Sequence, residues 1–585
     1  MDDEVETQQV VRNIAHKIIA IAAGEAHTLL LSGDGKVYSW GRGMFGRLGN
    51  GSESDETMPV PIKLESSGPV MEKDVNFVAV AAGAYHSLAL SDDGSVWGWG
   101  YNTYSQLGFD GGNVSVPRQL DKLIELSSPQ SLGDNSEEKV TTPLKVSSIE
   151  AGGMMSLAID NLGTLWMWGN CPCPTSSPDE PFSFASISSP VPVYDFYGHT
   201  VVKVACGNEH VIALVSPGET HTGDNLICYS WGNNNHGQLG LGDTESRSQP
   251  QIVSTFNEES SWAPYDVACG AYHTVVLTLK KRPRDTLESF CWTFGQGENG
   301  QLGHGTTQNT FLPERIENLP EHAYYVSVDC GLFHTSLVSS SGDVWSWGME
   351  KGLGLCPDVS FSGINHGDAI LPLQIPYDGP GRPKFPSPVE VACGAAHTVL
   401  VADSGYKVWS WGRGRSGVLG DGKMTDSYFP TMVLWPPLLE DFKDGLHLQS
   451  TPENSNKAVN EKNLGNEDVS DVIDTKLSAL TEEMKHLQSK LSNMERYTRI
   501  LHASLFGKPF NQERDIPSYL LDSGNFDIAK EWENMLELAD VKELRRLEMF
   551  YRNMVGGVKD KLMKRKIKEI VRECMQSSTA NAMPN

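Results

Sequence analysis

A chain of 585 residues with 39% hydrophobic side chains can bury a sizeable core, and its 57 Gly, 32 Pro and 14 Trp favour tight turns and aromatic strands over a helical bundle. The formal net charge of -27 is concentrated in residues 1–440, which hold 25 basic and 50 acidic side chains. Such a field repels phosphates and favours basic partners, so direct nucleic-acid binding is not expected, and a disordered or collagen-like chain is excluded by composition.

Residues 1–9, MDDEVETQQ, are acidic where a secretory signal would be basic and then apolar, and read as a disordered N-terminus. No apolar run approaches the ~18 residues that cross a bilayer, so no membrane span is expected and the chain reads as nuclear or cytosolic.

Residues 10–437 are organised by a repeat. A phrase typified by Ala-Gly-x-x-His-Thr, an aliphatic stretch and then aromatic-x-Trp-Gly recurs with variations in seven copies, with its first glycine at Gly24, Gly83, Gly152, Gly207, Gly270, Gly331 and Gly394. A period near 60 residues means one supersecondary unit copied along the chain. Within each copy, turns such as Gly33-Asp34-Gly35 and Asp92-Asp93-Gly94 separate two strands. Aromatics stand two apart in the second of these, as in Tyr38 and Trp40, Trp97 and Trp99, or Trp409 and Trp411, and period two puts each pair on one sheet face. Small sheets cannot cover such aromatics alone, so neighbouring sheets must stack on them radially. The predicted fold is mainly β: a seven-bladed β-propeller followed by an α-helical coiled-coil tail.

After each aromatic strand comes a Pro-led segment, from PVPI at 59–62 to PTMV at 430–433, with none before the first repeat. This order predicts that each such strand joins the next repeat's blade and that residues 430–433 complete the first, stapling the two ends of the ring by strand pairing. A Ser-rich acidic insertion near 125–145 and a Pro/Ser-rich one at 171–190 are expected to be mobile loops.

The repeat length and runs such as Trp231-Gly232-Asn233-Asn234-Asn235-His236-Gly237-Gln238-Leu239-Gly240 resemble the regulator of chromosome condensation family, in particular plant members with a C-terminal coiled coil. Two copies depart from the pattern: the third has Met155 where the others have His, and the sixth shortens its turn to Gly352-Leu353-Gly354. The resemblance implies nuclear or chromatin-linked protein interaction, with a histone or other chromatin protein or a small GTPase as partner. The founding member exchanges guanine nucleotide on a small Ran-like GTPase through a wedge in the loop after the third aromatic strand. Residues 170–177 occupy that place here without resembling it, so no exchange residue is assigned. A plant branch senses UV-B through Gly-Trp-Arg-His-Thr phrases. The matching positions here, such as Glu25 and Ala26, Ala84 and Tyr85, or Ala271 and Tyr272, hold neither Trp nor Arg, so no UV-B response is expected.

Several motifs look chemical. Gly41-x-Gly43-x-x-Gly46, Gly295-x-Gly297-x-x-Gly300 and Gly412-x-Gly414-x-x-Gly417 fit a dinucleotide fingerprint, but they share one repeat position and lead into strands rather than a helix. His27, His86, His210, His273, His334 and His397 fall one to a blade and are expected to bond a turn carbonyl in their own or an adjacent blade. Cys206, Cys269, Cys330 and Cys393 each precede a repeat glycine and read as small buried apolar residues. Cys171-Pro-Cys173-Pro lacks zinc spacing. No catalytic, metal or cofactor-binding residue is therefore assigned, and no cofactor is expected. Lys280-Lys281-Arg282-Pro283-Arg284 replaces a short turn, which makes Lys280, Lys281, Arg282 and Arg284 a candidate nuclear-import loop, a contact for an acidic partner, or a solvated loop.

Beyond the propeller, residues 438–470 read as a flexible linker and 471–507 as a coiled coil. Its seam is Ile473, Leu477, Leu480, Met484, Leu487, Leu491, Met494, Leu501 and Leu505, interrupted only by Thr498. Residues 508–575 read as a helical region, ending in the basic amphipathic stretch 559–574, and 576–585 as a disordered tail. The narrow seam predicts a homo-oligomer. Burying each of its apolar side chains is worth about 1.5–3 kcal/mol before entropy, and an unpaired charge placed there costs several kcal/mol. Leu480→Asp with Leu487→Asp is expected to abolish oligomerisation in light scattering while the propeller keeps its melting temperature. A monomeric wild type, with a mutant that destabilises the propeller, would mean the helix docks in cis instead.

Overall fold

The computed structural model describes residues 14–64, 75–120, 145–173, 182–196, 198–217, 226–281, 288–349, 367–375 and 384–436. The linker, the seam from 473 to 505 and the later helices lie outside the described residues.

Each repeat forms one four-stranded antiparallel sheet, paired in chain order, giving seven sheets. In blade 1 the strands are Ile18–Ala23, His27–Ser32, Val37–Gly41 and Glu56–Pro61. The second strand is buried along its whole length because sheets cover both its faces, which is why it reads as an aliphatic run rather than an alternation. Gly35, at φ +78, closes the hairpin to the third strand in a conformation that a side chain would strain. First strands touch the first strands of neighbouring blades all around the ring, including blade 7 against blade 1, so they are innermost. The described residues form a seven-bladed β-propeller.

Strand exchange does not close the ring, contrary to the expectation from the Pro-led segments. Residues 59–62 pair with blade 1's own aromatic strand, Tyr38 opposite Pro61, and Ser427–Met432 pairs within blade 7, Trp409 opposite Met432. The reason is local. The middle residue of the aromatic strand holds the Gly-rich turn on its own sheet, Ser39 Oγ donating to Leu48 O at 2.6 Å and Ser230 Oγ to Leu239 O at 2.8 Å. The leucine of each such turn is fully buried, so the chain returns beside the strand it has just left. Closure comes from packing instead: Ile18, Ile21, Leu30 and Trp40 of blade 1 share a core with Val399, Val401 and Val408 of blade 7. Trp435 adds a clasp, its indole donating to His16 O at 2.9 Å while its ring meets Tyr38 edge-on at 4.9 Å.

The second correction concerns residues 171–190. Where the third repeat lacks the Gly-rich turn, the aromatic strand simply continues over Leu165–Pro172, and Phe184–Val193 returns beside it with Asn170 opposite Ser186. Much of the segment expected to be a mobile loop is hairpin. Part of the tip, 174–181, lies outside the described residues, as does most of the insertion near 125–145.

Blades are locked by a repeated polar knot. The turn carbonyl of one blade accepts from two groups of the next: Arg47 O from Trp99 Nε1 at 2.9 Å and Ser87 Oγ at 2.8 Å. Gln106 O takes Trp168 and Ser156, and Gln301 O takes Trp347 and Thr335, in the same way. The hydroxyl is also met by the preceding blade's histidine, as in His27 Nε2 to Ser87 Oγ at 2.9 Å and His86 Nε2 to Ser156 Oγ at 2.8 Å. His210, His273 and His334 meet Thr274, Thr335 and Thr398, and His397 reaches Thr28 at 3.4 Å across the ring closure. The six histidines thus bond hydroxyls, not the turn carbonyls expected. Blade 3 has Met155 in place of His, and blade 4 has Val211 in place of the hydroxyl that would receive it. Both halves of the pair are replaced together, and the two side chains share one apolar core.

The repeat glycines sit where this knot leaves no room. A Cβ on Gly270 would lie 2.1 Å from His273 Cε1 and 2.6 Å from Gly331 O, and one on Gly394 would lie 2.0 Å from His397 Cε1 and 2.6 Å from Gly24 O. Gly24, Gly83, Gly207 and Gly331 are hemmed in the same way, and Gly152 meets Cys206 Sγ and Gly207 O at 2.3 Å.

Two predictions follow from the knot. Met155→His and Val211→Thr each bury an unmatched polar group and are expected to destabilise by about 1–3 kcal/mol singly, whereas the double variant recovers about 1 kcal/mol relative to their sum. Denaturant unfolding of the four proteins measures this. The second concerns pH. Where the serine or threonine proton goes to a carbonyl, the histidine must donate from Nε2, leaving Nδ1 as an acceptor, and Nδ1 of His27, His86, His210, His273 and His334 has no partner. A proton on Nδ1 would be a buried charge with nowhere to point. Burial accordingly lowers His86, His210, His273 and His334 from 6.5 to about 3 and His397 to about 4, with Arg47 adding repulsion at His86. The unfolded chain therefore takes up more protons than the folded one below about pH 6.5, so stability is complete above that value and falls as pH drops. The melting temperature is expected to decline from pH 6.5 to 5, before carboxylates titrate, with a shallower slope in His210→Gln; a flat profile over that window would contradict it.

Candidate interaction face

At one end of the ring the first strand turns into the second, and the chain leaving the third strand packs beside that turn. Arg42 N donates to Ala26 O at 2.8 Å, Tyr101 N to Tyr85 O at 2.9 Å, Asn233 N to Glu209 O at 2.8 Å and Arg413 N to Ala396 O at 2.7 Å. The same bond recurs in all seven blades. Two rings of variable side chains result, displayed on backbone that does not vary.

Charge is distributed unevenly over this face. Arg42 of blade 1 and Arg413 of blade 7 hold equivalent positions in adjacent blades, Arg415 stands beside them, and all three are exposed. They take part in none of the ion pairs among the described residues. Across the ring, Glu209 accepts from Asn233 Nδ2 at 2.8 Å and Glu298 from Gln296 Nε2 at 3.1 Å. Exposed arginines gather over blades 7 and 1, where Glu25 also stands, and glutamates stand over blades 4 and 5.

Beneath the basic side lies Arg47, which is fully buried. In the turns of blades 2, 4 and 5 the same position is Gln106, Gln238 and Gln301, whose side-chain oxygen accepts a backbone N–H two residues earlier at 2.8–3.0 Å. Arginine has no acceptor to offer there. Its Nε donates to Met44 O at 2.9 Å and Nη1 to Ala84 O at 3.2 Å, while its guanidinium lies 4.7 Å from the centre of the Tyr85 ring. Nη2 has no partner. Burial, with Arg42 nearby, lowers the Arg47 pKa to about 10, so it stays cationic at neutral pH. Phe45, Tyr85 and Tyr101 form an aromatic cluster above it, with ring centres 4.7–6.0 Å apart. Arg47 is visible in the sequence as Gly-Arg-Leu-Gly among Gly-Gln-Leu-Gly turns, but the sequence reading passed over it.

The other sequence candidates separate from this face. The glycine-rich runs lead into strands, and the amides a phosphate would need are taken: Gly43 N by Asp55, Gly297 N by Asn309 and Gly414 N by Asp426, at 2.9–3.0 Å. Lys280 ends the strand His273–Lys280 with its ammonium 5.1 Å from the Phe290 ring, and Lys281 Nζ donates to Glu258 O at 2.8 Å. Arg282 and Arg284 lie outside the described residues. Burial pushes the thiols of Cys206, Cys269, Cys330 and Cys393 up, which makes them inert packing groups. Among the described residues no cluster of His, Cys, Asp or Glu could hold a metal, and no helix is long and apolar enough to cross a membrane.

Residues 2–276 match the RCC1-like domain and residues 290–338 the regulator of chromosome condensation (RCC1) repeat. The ultraviolet-B receptor UVR8 of Arabidopsis thaliana is 30% identical over 443 residues, covering 74% of this chain and 85% of that protein. The chain belongs to the RCC1 family. The E3 ubiquitin-protein ligase HERC2 of Homo sapiens is 28% identical over 337 residues, which are 57% of this chain and 6% of that protein. Among solved structures, Prp20p from Saccharomyces cerevisiae, described with binding properties to Gsp1p and histones, matches with a TM-score of 0.52 at 23% identity. That match covers 72% of this chain and 88% of Prp20p and supports the RCC1 propeller fold.

Proposed function

We propose that the protein is a non-enzymatic scaffold of the nucleus or cytosol, in which the propeller binds a protein partner and the tail brings copies together. The observation that carries this reading is the loop face: seven equivalent backbone positions present unlike side chains, including exposed arginines and half-buried aromatics. The Gly-rich turns, histidines and cysteines that would suggest chemistry are each consumed by packing. The seam from 473 to 505 and the import role of Lys280, Lys281, Arg282 and Arg284 belong to this proposal. Affinity capture with the full chain from nuclear and cytosolic extracts tests it, and recovery of no partner from either would remove it.

A second reading is guanine-nucleotide exchange on a Ran-like GTPase, favoured by the fold likeness to Prp20p, whose description names Gsp1p and histones. In this chain the arm after the third aromatic strand is a paired hairpin, Cys171 opposite Ala185, with Cys173 N bonded to Ser183 O at 2.9 Å. Labelled GDP is expected to leave Ran at its intrinsic rate when the purified chain is added. An acceleration of about tenfold or more, some 1.4 kcal/mol in the barrier, would put exchange ahead of scaffolding.

A further inference from the structure

We infer that the loop face over blades 7, 1 and 2 docks an acidic peptide segment of a protein partner, with Arg42 and Arg47 receiving its carboxylates. This rests on the scaffold reading and names the partner's chemistry.

Three observations converge. First, a propeller with 25 basic and 50 acidic side chains in residues 1–440 nevertheless places Arg42, Arg413 and Arg415 together, exposed and without an ion pair among the described residues. Second, Arg47 below them is wholly buried, keeps Nη2 without a hydrogen-bond partner and is a cation, where the same turn elsewhere holds a neutral glutamine whose side-chain oxygen accepts a backbone N–H. A planar guanidinium with an open N–H matches one edge of a carboxylate. Third, the cover over Arg47 is Tyr85, which is only partly buried, with its ring centre 4.7 Å from the guanidinium; burial first and then the Glu25 carboxylate of the same face raise its phenol pKa. An incoming carboxylate can therefore reach the guanidinium by displacing the partly buried Tyr85 ring, without disturbing the sheet beneath. Met44 and Tyr104, each 40% exposed, supply apolar rim for the rest of a peptide.

The net negative field of the propeller selects against an extended polyphosphate, whereas a short acidic segment brings its charge to one place. A peptide is accordingly the better match than a nucleic acid.

The test uses the purified full chain and a fluorescein-labelled decamer of glutamate, followed by anisotropy at low salt, with a lysine decamer as control. The glutamate peptide is expected to bind and the lysine peptide not to bind through this face. Arg42→Glu with Arg413→Glu should weaken binding about tenfold or more, and Arg47→Gln about threefold to tenfold. Arg47→Gln keeps the fold testable, because glutamine is what the equivalent turns already hold, and an unchanged melting temperature confirms that. Absence of binding, or binding that ignores Arg47→Gln, overturns the inference. Tighter binding of a duplex DNA through the same arginines overturns the choice of a peptide. If the chain captures partners from extract but ignores the peptide, the scaffold reading stands and this inference falls. If no partner is captured, the scaffold reading falls whatever the peptide does.

Discussion

In five blades one backbone oxygen, the carbonyl in the Gly-rich turn, sets much of the rest of the ring. It has two lone pairs, and in blades 1, 2 and 5 the next blade fills both, with an indole and a hydroxyl. Because an acceptor buried without donors costs about 1–3 kcal/mol, each blade can be joined to its neighbour in only one orientation. The hydroxyl's proton is thereby committed, the histidine must donate from Nε2, and the imidazole ring is held against the glycine whose missing Cβ admits it. Tryptophan, serine or threonine, histidine and glycine are four consequences of one acceptor.

This arrangement occupies the interior and leaves the loop end to vary. The same backbone bond that anchors Arg42 beside Ala26 anchors Asn233 beside Glu209, so side chains of opposite charge are presented by identical frames. Arg47 is the exception, because there the variation reaches into the turn itself. A cation replaces an internal acceptor, and the aromatic rings above it become its main company.

Period and aromatic spacing were enough to read the propeller, since every blade repeats them and the cost of leaving Trp40 or Trp99 wet has one common remedy. The pairing partner of the Pro-led strands was not readable in the same way. A repeat has no intrinsic beginning, and either frame satisfies the period; the bond from Ser39 to Leu48 O chooses between them. Composition misled at 171–190, where Pro and Ser suggested a loop, because backbone pairing such as Asn170 with Ser186 is indifferent to those side chains. The histidine bonds were legible in principle: the one repeat without His, at Met155, precedes the one repeat without a hydroxyl, at Val211. The open Nη2 of Arg47 was not, since it depends on where Tyr85 and Ala84 place their atoms.

The Met155 and Val211 junction gives the ring a direction of failure. At the other junctions that carry histidine, separating two blades strands a buried side-chain polar atom; here the side chains in that place are methyl and thioether, and backbone bonds such as Val201 N to Gly163 O at 2.8 Å and Gly153 N to Gly207 O at 3.1 Å cross the junction. Apolar contact tolerates sliding and tilt that a directional bond forbids. Sliding of adjacent blades is therefore least opposed by directional side-chain bonds between blades 3 and 4. The same seam gives the closed toroid the compliance to breathe without unlocking its other junctions.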